Sequence, residues 1–311
     1  MTTRKHYPVM LREVLYYLNI REGATLVDGT VGHGGHAKAM LTAAGEKGTL
    51  VAMDWDETML RKAEENLKDV PGRKFFVHAD FRMMPKVLEG LNISGVDGIL
   101  LDFGVSIEHF EDASRGFSFL ADAPLDMRMN RSAKETAASF LNRASQGEIE
   151  RVLREYGGER WANRIARAII RRRKEGRMHR TQDLVDAVLE AIPPKYREKR
   201  IHPATRTFQA IRIAVNQELQ DLQEAIMNAA FCLNPGGRMV TLSYHSGEDR
   251  EAKLAFRKLT KEHGFKTLTP RPVRPSSEEV RENPPSRSAR LRAIERTIQP
   301  NQQNFKQKET A

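Results

Sequence analysis

Four apolar runs in the first third of the chain each close on an aspartate, and this pattern restricts the fold more than any other feature. They are ATLVD ending at Asp28, GTLVAMD at Asp54, KFFVHAD at Asp80 and DGILLD at Asp102. The three gaps between them carry helical patterns, HAKAMLTAAG, DETMLRKAEENLKDV and FRMMPKVLEGL. Strands alternating with helices predict an α/β fold with a parallel, doubly wound sheet, because a parallel strand needs a long crossover to return to the same edge. In such sheets ligands bind outside the carboxyl ends of the strands. The four aspartates are therefore expected along the ligand-binding edge.

Beyond about Gly104 the character changes. AKETAASFLNRA, GEIERVLREYG, ERWANRIARAIIRRRKEG and TQDLVDAVLEAI read as helices without a strand among them. TFQAIRIAVNQELQDLQEAIMNAAFCL reads as one long helix stopped by NPGG, and RMVTLSYH resumes the buried-strand pattern. A proline-rich loop, RPVRPSSEEVRENPPSRSAR, precedes a final strand, LRAIERT. The expected organisation is a sheet domain from 1–105 and 205–298, interrupted by a helical domain over 106–204. A polar tail over 299–311 has the composition of a disordered segment.

With 311 residues, 40% of them hydrophobic and 30% charged, the chain can bury a sizeable core. No apolar run approaches the roughly 20 residues that span a bilayer, and the basic start MTTRKHYPVM lacks the apolar stretch of a secretory signal. Cys232 is the single cysteine, which excludes an internal disulfide or a cysteine-cluster metal site. A cytoplasmic location is the expectation. The formal charge of +10 points to a polyanionic partner such as nucleic acid, although many basic enzymes bind none. Between Arg151 and Arg180 there are eleven Arg or Lys against three Glu. Arg160, Arg164, Arg167 and Arg171 recur at helical spacing on one face, with Trp161, Ile165, Ala168 and Ile169 as the core stripe. The few acids in that window favour phosphate contact over internal ion pairing.

Gly32, Gly34 and Ala37 satisfy a loose G-x-G-x-x-G/A fingerprint in TLVDGTVGHGGHAKAM, with Asp54 about twenty residues on. A tight strand-to-helix turn with no ligand explains the same letters. The carboxylates discriminate between ligands. A dinucleotide brings a pyrophosphate to the first helix N-terminus, where a row of aspartates opposes it. S-adenosylmethionine carries a sulfonium, an ammonium, a ribose diol and an adenine amine, all of which suit carboxylates. Asp54 is then expected at the ribose and Asp80 near the adenine, although each aspartate alone also reads as a helix N-cap.

HYPVMLREVL, DGTVGHGGHAKAML, ILLDFGVS, RGFSF, PLDMRM, HPATRTFQAIRIAVNQEL, LNPGGRMVTLSYHSGEDR and NPPSRSARLRAIER resemble, in order, the signature segments of one bacterial family. It is the ribosomal RNA small subunit methyltransferase H family, also called MraW, and the resemblance runs from about His6 to Arg296. It implies a Rossmann-like class I S-adenosylmethionine-dependent methyltransferase sheet with an inserted helical domain. It also implies methyl transfer to N4 of one cytidine in the decoding region of 16S ribosomal RNA. The family's donor-binding positions fall on Gly34, Gly35, His36, Asp54, Phe81 and Asp102. A further one, usually glutamine, is His109 here, where imidazole can donate or accept as an amide does. This chain also reads Phe103, Ile107 and Gly247 where the family has leucine, serine and leucine.

The exocyclic amine of cytosine is a poor nucleophile, so its methylation needs in-line positioning and an acceptor for one N–H. Asp102, with the carbonyls just after it, is the candidate acceptor; donor binding alone is the competing role. His245 and Ser243 are candidates for contact with the target base, whereas Glu248, Asp249 and Arg250 also read as a helix start with a local ion pair. Asp126, Arg128, Arg206 and Gln209, at the junctions of the insertion, are candidate RNA or hinge contacts. No metal is expected, since donor binding accounts for His33, His36 and the aspartates. A nicotinamide-dependent dehydrogenase and a non-catalytic RNA-binding assembly factor remain the rival readings. Monomer and homodimer are equally open.

Overall fold

The computed structural model describes residues 7–198 and 201–298. The tail expected to be disordered lies outside the described residues. The chain divides into two compact units, one of residues 1–104 with 221–311 and one of residues 105–220.

In the first unit a helix, α1 (Leu11–Leu18), precedes the alternating run β1 (Thr25–Asp28), α2 (Gly35–Ala44), β2 (Thr49–Asp54), α3 (Glu57–Leu67), β3 (Arg73–His78), α4 (Met84–Gly90) and β4 (Val96–Asp102). After the second unit come α11 (Leu222–Phe231), β5 (Leu233–Ser243), α12 (Ser246–Glu262), β6 (Phe265–Thr267), α13 (Ser277–Glu282) and β7 (Arg290–Arg296). The seven strands form one sheet in the order β3-β2-β1-β4-β5-β7-β6. β1 to β5 are parallel, while β7 runs antiparallel to both β5 and β6. The winding direction reverses between β1 and β4, so the crevice beyond their carboxyl ends is the topological switch point where ligands bind. Asp28 and Asp102 terminate those two strands. Leu26, Leu50, Leu100, Val240 and Leu291 put the strands' apolar side chains into one core with Val14 and Leu18 of α1 and Met40 and Leu41 of α2.

The second unit is helical: α5 (Ile107–Glu111), α6 (Ala137–Arg143), α7 (Gln146–Glu155), α8 (Ala162–Glu175), α9 (Thr181–Ala191) and α10 (Thr205–Val215). It has its own core, in which Leu141, Leu153, Ile165, Ile169, Leu184 and Ile211 are fully buried. Two expectations change here. The long helix after His202 is two helices, α10 and α11, and α10 packs into the helical core, so that unit extends to Gln220 rather than 204. Asn216 makes the break. Its buried amide accepts from Met129 N at 2.7 Å and donates to the carbonyls of Met127 and Arg212 at 2.7 and 2.9 Å. Gln217 then takes a left-handed φ of 51°. The NPGG segment, expected to stop a helix, instead forms an irregular start to β5, where the register jumps from Val96–Leu233 to Gly98–Arg238.

Candidate active site

The site is built on the carboxyl ends of β1, β2 and β4 and the glycine turn after β1. Gly32 and Gly34 carry φ values of 52° and 84°, a region costly for side chains bearing Cβ. A Cβ at Gly34 would also lie 2.7 Å from Leu67 Cδ1 of α3. The turn is tied to the neighbouring strand by Asp54, whose Oδ2 accepts Gly32 N–H at 2.8 Å while Oδ1 accepts Asp56 N–H at 2.7 Å. Asp56, not Asp54, caps α3. Thr30 joins the turn to β4, its hydroxyl accepting Asp102 N–H at 2.7 Å.

Two carboxyls line this turn, Asp28 buried and Asp102 half-buried at the end of β4, and among the described residues neither is paired with a Lys or Arg. Asp28 is 1% exposed and accepts Thr30 N–H at 3.2 Å. Burial pushes its pKa up to about 8, reinforced by Asp102 and Asp54. Burial also raises Asp102 to about 7, opposed by the hydroxyl of Tyr244, which donates to Oδ1 at 2.9 Å. His36 does not supply the missing charge. Its Nε2 donates to the Val9 carbonyl at 2.9 Å, and burial holds its pKa down to about 4. The other ring nitrogen, 3.6 Å from Asp102 Oδ2, is therefore a neutral acceptor near neutral pH. The free site holds carboxyls that keep their protons near neutrality and ionise when a cation arrives. It fits a ligand bearing ammonium and sulfonium charge and opposes a pyrophosphate.

The segment before α1 completes this wall. Pro8 lies against Gly35, where a Cβ would meet Pro8 Cγ at 2.8 Å. Met10 N donates to Glu279 of α13 at 2.6 Å, so α13 is tied to the segment whose Val9 carbonyl holds His36. On the far side, the rings of Phe81 and Phe103 are 5.8 Å apart. Asp80 departs from expectation. It lies two residues beyond β3, and both its oxygens are engaged by Arg82, the backbone N–H at 2.8 Å and the guanidinium at 2.7 Å. The fourth aspartate thus caps a 3-10 turn, Phe81–Met83, as a neutralised pair.

The sequence profile of the MraW methylase family matches residues 3–297. The chain belongs to that family. It is similar to the ribosomal RNA small subunit methyltransferase H of Geobacter sulfurreducens, at 47% identity over 94% of this chain and 99% of that protein. The proteins of the same name from Syntrophus aciditrophicus and Heliobacterium modesticaldum are 45% and 43% identical, covering 94% of this chain and 97% and 98% of theirs. The sheet is the Rossmann-like class I methyltransferase sheet, with β7 inserted antiparallel between β5 and β6.

Of the residues singled out in the sequence, this MraW chain places Gly34, Gly35, His36, Asp54, Phe81 and Asp102 in the strand-end region of the sheet unit. His109 belongs to the helical unit, where its ring stacks on Phe117 at 5.1 Å. His245 is used locally. It is the N-cap of α12, its Nδ1 accepting the N–H groups of Gly247 and Glu248, while Glu248 Oε2 accepts those of Tyr244 and His245. Asp249 does not pair with Arg250; it bridges Arg290 and Arg292 of β7 at 3.2 and 2.8 Å. Ser243 is buried, and among the described residues its hydroxyl has no hydrogen-bond partner. Tyr244 lies between these two candidates and was not singled out, because nothing local in SYHS shows that its hydroxyl reaches a strand end 142 residues earlier.

The basic insertion is more paired than its local composition suggests. Acids from outside the 151–180 window reach it: Glu198 lies 3.7 Å from Arg160 and 2.8 Å from Arg206, and Glu190 pairs with Arg171. Arg164 and Arg167 are exposed, and Arg164 lies over the Trp161 ring. Asp126 and Arg128 form a two-pronged pair at 2.7 and 2.8 Å, and Arg128 also bonds the carbonyls of Arg131 and Ala133, which organises a loop. Gln209 is half-buried. No helix among the described residues is long and apolar enough to cross a membrane.

Proposed function

We propose that this chain transfers a methyl group from S-adenosylmethionine to N4 of one cytidine in the decoding region of 16S ribosomal RNA, acting on the RNA or the small subunit in the cytoplasm. The observation that carries the reading is the pair of carboxyls without a Lys or Arg partner among the described residues, buried Asp28 and half-buried Asp102, at the switch point of a methyltransferase sheet. When bound, S-adenosylmethionine supplies an electrophilic methyl group on a sulfonium centre. Asp28 and Asp102 would ionise against the donor and so supply the negative charge that a sulfonium and ammonium require, and the glycine turn lets backbone approach the methionine portion. Asp54, at the end of β2, would hold the ribose hydroxyls. Phe81 would face the adenine, and Gly34, Gly35 and His36 complete the donor-binding set within the sheet unit.

Asp102 Oδ2 is the acceptor available to the amine that receives the methyl group, since Oδ1 is occupied by Tyr244. Holding one N–H there turns the nitrogen lone pair away from the ring. Positioning of this kind supplies about 7–11 kcal/mol of a barrier, so no strong base is needed. Arg160, Arg164, Arg167, Arg171 and Arg206 of the helical unit would bind RNA phosphates, in competition with their acidic partners. His245 acts through the α12 cap rather than on the base.

The test incubates labelled S-adenosylmethionine with small subunits from cells lacking the protein and identifies the labelled nucleoside. N4-methylcytidine at a single position is expected, absent with Asp54→Ala. Label on another nucleoside, or none with donor still bound, overturns the substrate assignment.

A further inference from the structure

At the edge of the helical unit's core, two aromatic rings are left partly or largely uncovered. Trp161, expected in the core stripe, is only partly buried, and its indole packs at 40° against the ring of Tyr196, centroids 5.4 Å apart. The Arg164 guanidinium lies 5.0 Å from the Trp161 ring and the Lys195 ammonium 4.9 Å from the Tyr196 ring. Both rings line a shallow depression that continues to Ile201 and His202, with Arg160 and Arg206 on its rim. Tyr196 remains 54% exposed. The backbone beneath these rings is fixed. Trp161 N–H donates to Glu159 at 2.8 Å, and Arg197, next to Tyr196, bonds the carbonyls of Ile192 and Leu189 at 3.0 and 2.6 Å.

We propose that Trp161 and Tyr196 form a stacking site for an unpaired base of single-stranded RNA, with the flanking phosphates taken by Arg160, Arg164 and Lys195. This rests on the reading of the chain as an RNA methyltransferase and adds where, outside the donor site, the RNA is held and in what form. Aromatic rings interleaved with cations are the surface single strands use, because every base has a face to stack and every nucleotide a charge to neutralise. A duplex keeps its bases stacked on one another and has none to offer. Prealigned rings bind without a large ordering cost. Glu198 opposes a phosphate here, since it pairs with Arg160 and Arg206 on the same rim. Its removal should therefore strengthen binding.

The experiment uses the full chain carrying Trp55→Phe, which leaves Trp161 as the sole indole, and a single-stranded decaribonucleotide. RNA is expected to quench the Trp161 emission. Tyr196→Ala should weaken binding about tenfold, Tyr196→Phe should retain it, and Glu198→Gln should tighten it about two- to threefold at low salt. S-adenosylhomocysteine binding should be unaltered in all three. A tightening variant cannot be explained by misfolding. Absence of quenching, equal quenching by a duplex, or unchanged affinity in Tyr196→Ala and Glu198→Gln overturns the site. Methyl transfer to small subunits by the wild-type chain is measured alongside. Quenching by RNA with no transfer would refute the catalytic reading and uphold the stacking site. Transfer with all variants binding like wild type would refute the stacking site alone.

Discussion

Tyr244 Oη donates a 2.9 Å hydrogen bond to Asp102 Oδ1, joining the residue after β5 to the last residue of β4. The bond favours the carboxylate and opposes the burial that raises Asp102 to about 7. Tyr244 is itself held by Glu248, which accepts its backbone N–H at 2.8 Å, and its ring lies against Gly104. Tyr244→Phe removes the donor, so Asp102 should ionise at higher pH. The acid limb of the methyl-transfer pH profile is expected to move upward, with donor affinity about tenfold weaker at pH 7 and recovering at higher pH. A profile coincident with wild type would show that the hydroxyl does not control Asp102.

Donor binding should release protons. Free Asp28 and Asp102 titrate near 8 and 7, so both are largely protonated at pH 6.5. A cationic ligand favours the carboxylates and lowers both values. Calorimetric titration with S-adenosylmethionine at pH 6.5, in buffers of different ionisation enthalpy, should show release that disappears by pH 9, where both groups are already ionised.

The same burial has a cost for the unliganded fold. A carboxyl raised from 3.8 to about 8 binds its proton more tightly folded than unfolded, so its contribution to stability falls as pH rises across that interval. His36, lowered from 6.5 to about 4, acts oppositely, its contribution being lost as pH falls through that lower interval. Above pH 6.5 His36 is mostly neutral in both states, which isolates the carboxyl. Between pH 6.5 and 8.5 the ligand-free melting temperature should decline in the wild type and decline less in Asp28→Asn. Parallel slopes would remove Asp28 as the cause.

Gly34→Ala tests the turn. Its φ of 84° and the 2.7 Å approach to Leu67 Cδ1 leave no relaxed place for a methyl group. A loss above about 1 kcal/mol in denaturant unfolding is expected, with donor binding weakened. Gly32→Ala faces open space, so only its φ of 52° opposes it, and it should lose less.

The strand-end aspartates, the helical interruption and the glycine turn were legible in the linear chain because they are local patterns. Apolar runs of five to seven residues mark buried strands, and the residue that closes each run lies at the sheet edge. The mark is less sharp at Asp80, which falls beyond β3 and is neutralised by Arg82 two residues on. Local reading also carried one helix from α10 through α11, since VNQELQD contains neither glycine nor proline. The break there depends on Asn216 meeting the main chain of Met127 and Met129, nearly ninety residues earlier.

By itself, then, the sequence determined the alternation of elements, the edge where a ligand belongs and the family to which the chain belongs, all carried by short-range periodicity and contiguous motifs. Tertiary structure alone decided how each functional side chain is used. Burial beneath Pro8 and Val9 makes His36 neutral, and the absence of a cation leaves Asp28 and Asp102 proton-bearing. Glu190 of α9 pairs with Arg171, Glu198 pairs with Arg160 and Arg206, and α12 takes His245 as its cap. Charge state and hydrogen-bond partnership depend on desolvation and on neighbours brought in from far along the chain, and neither quantity exists until the chain has folded.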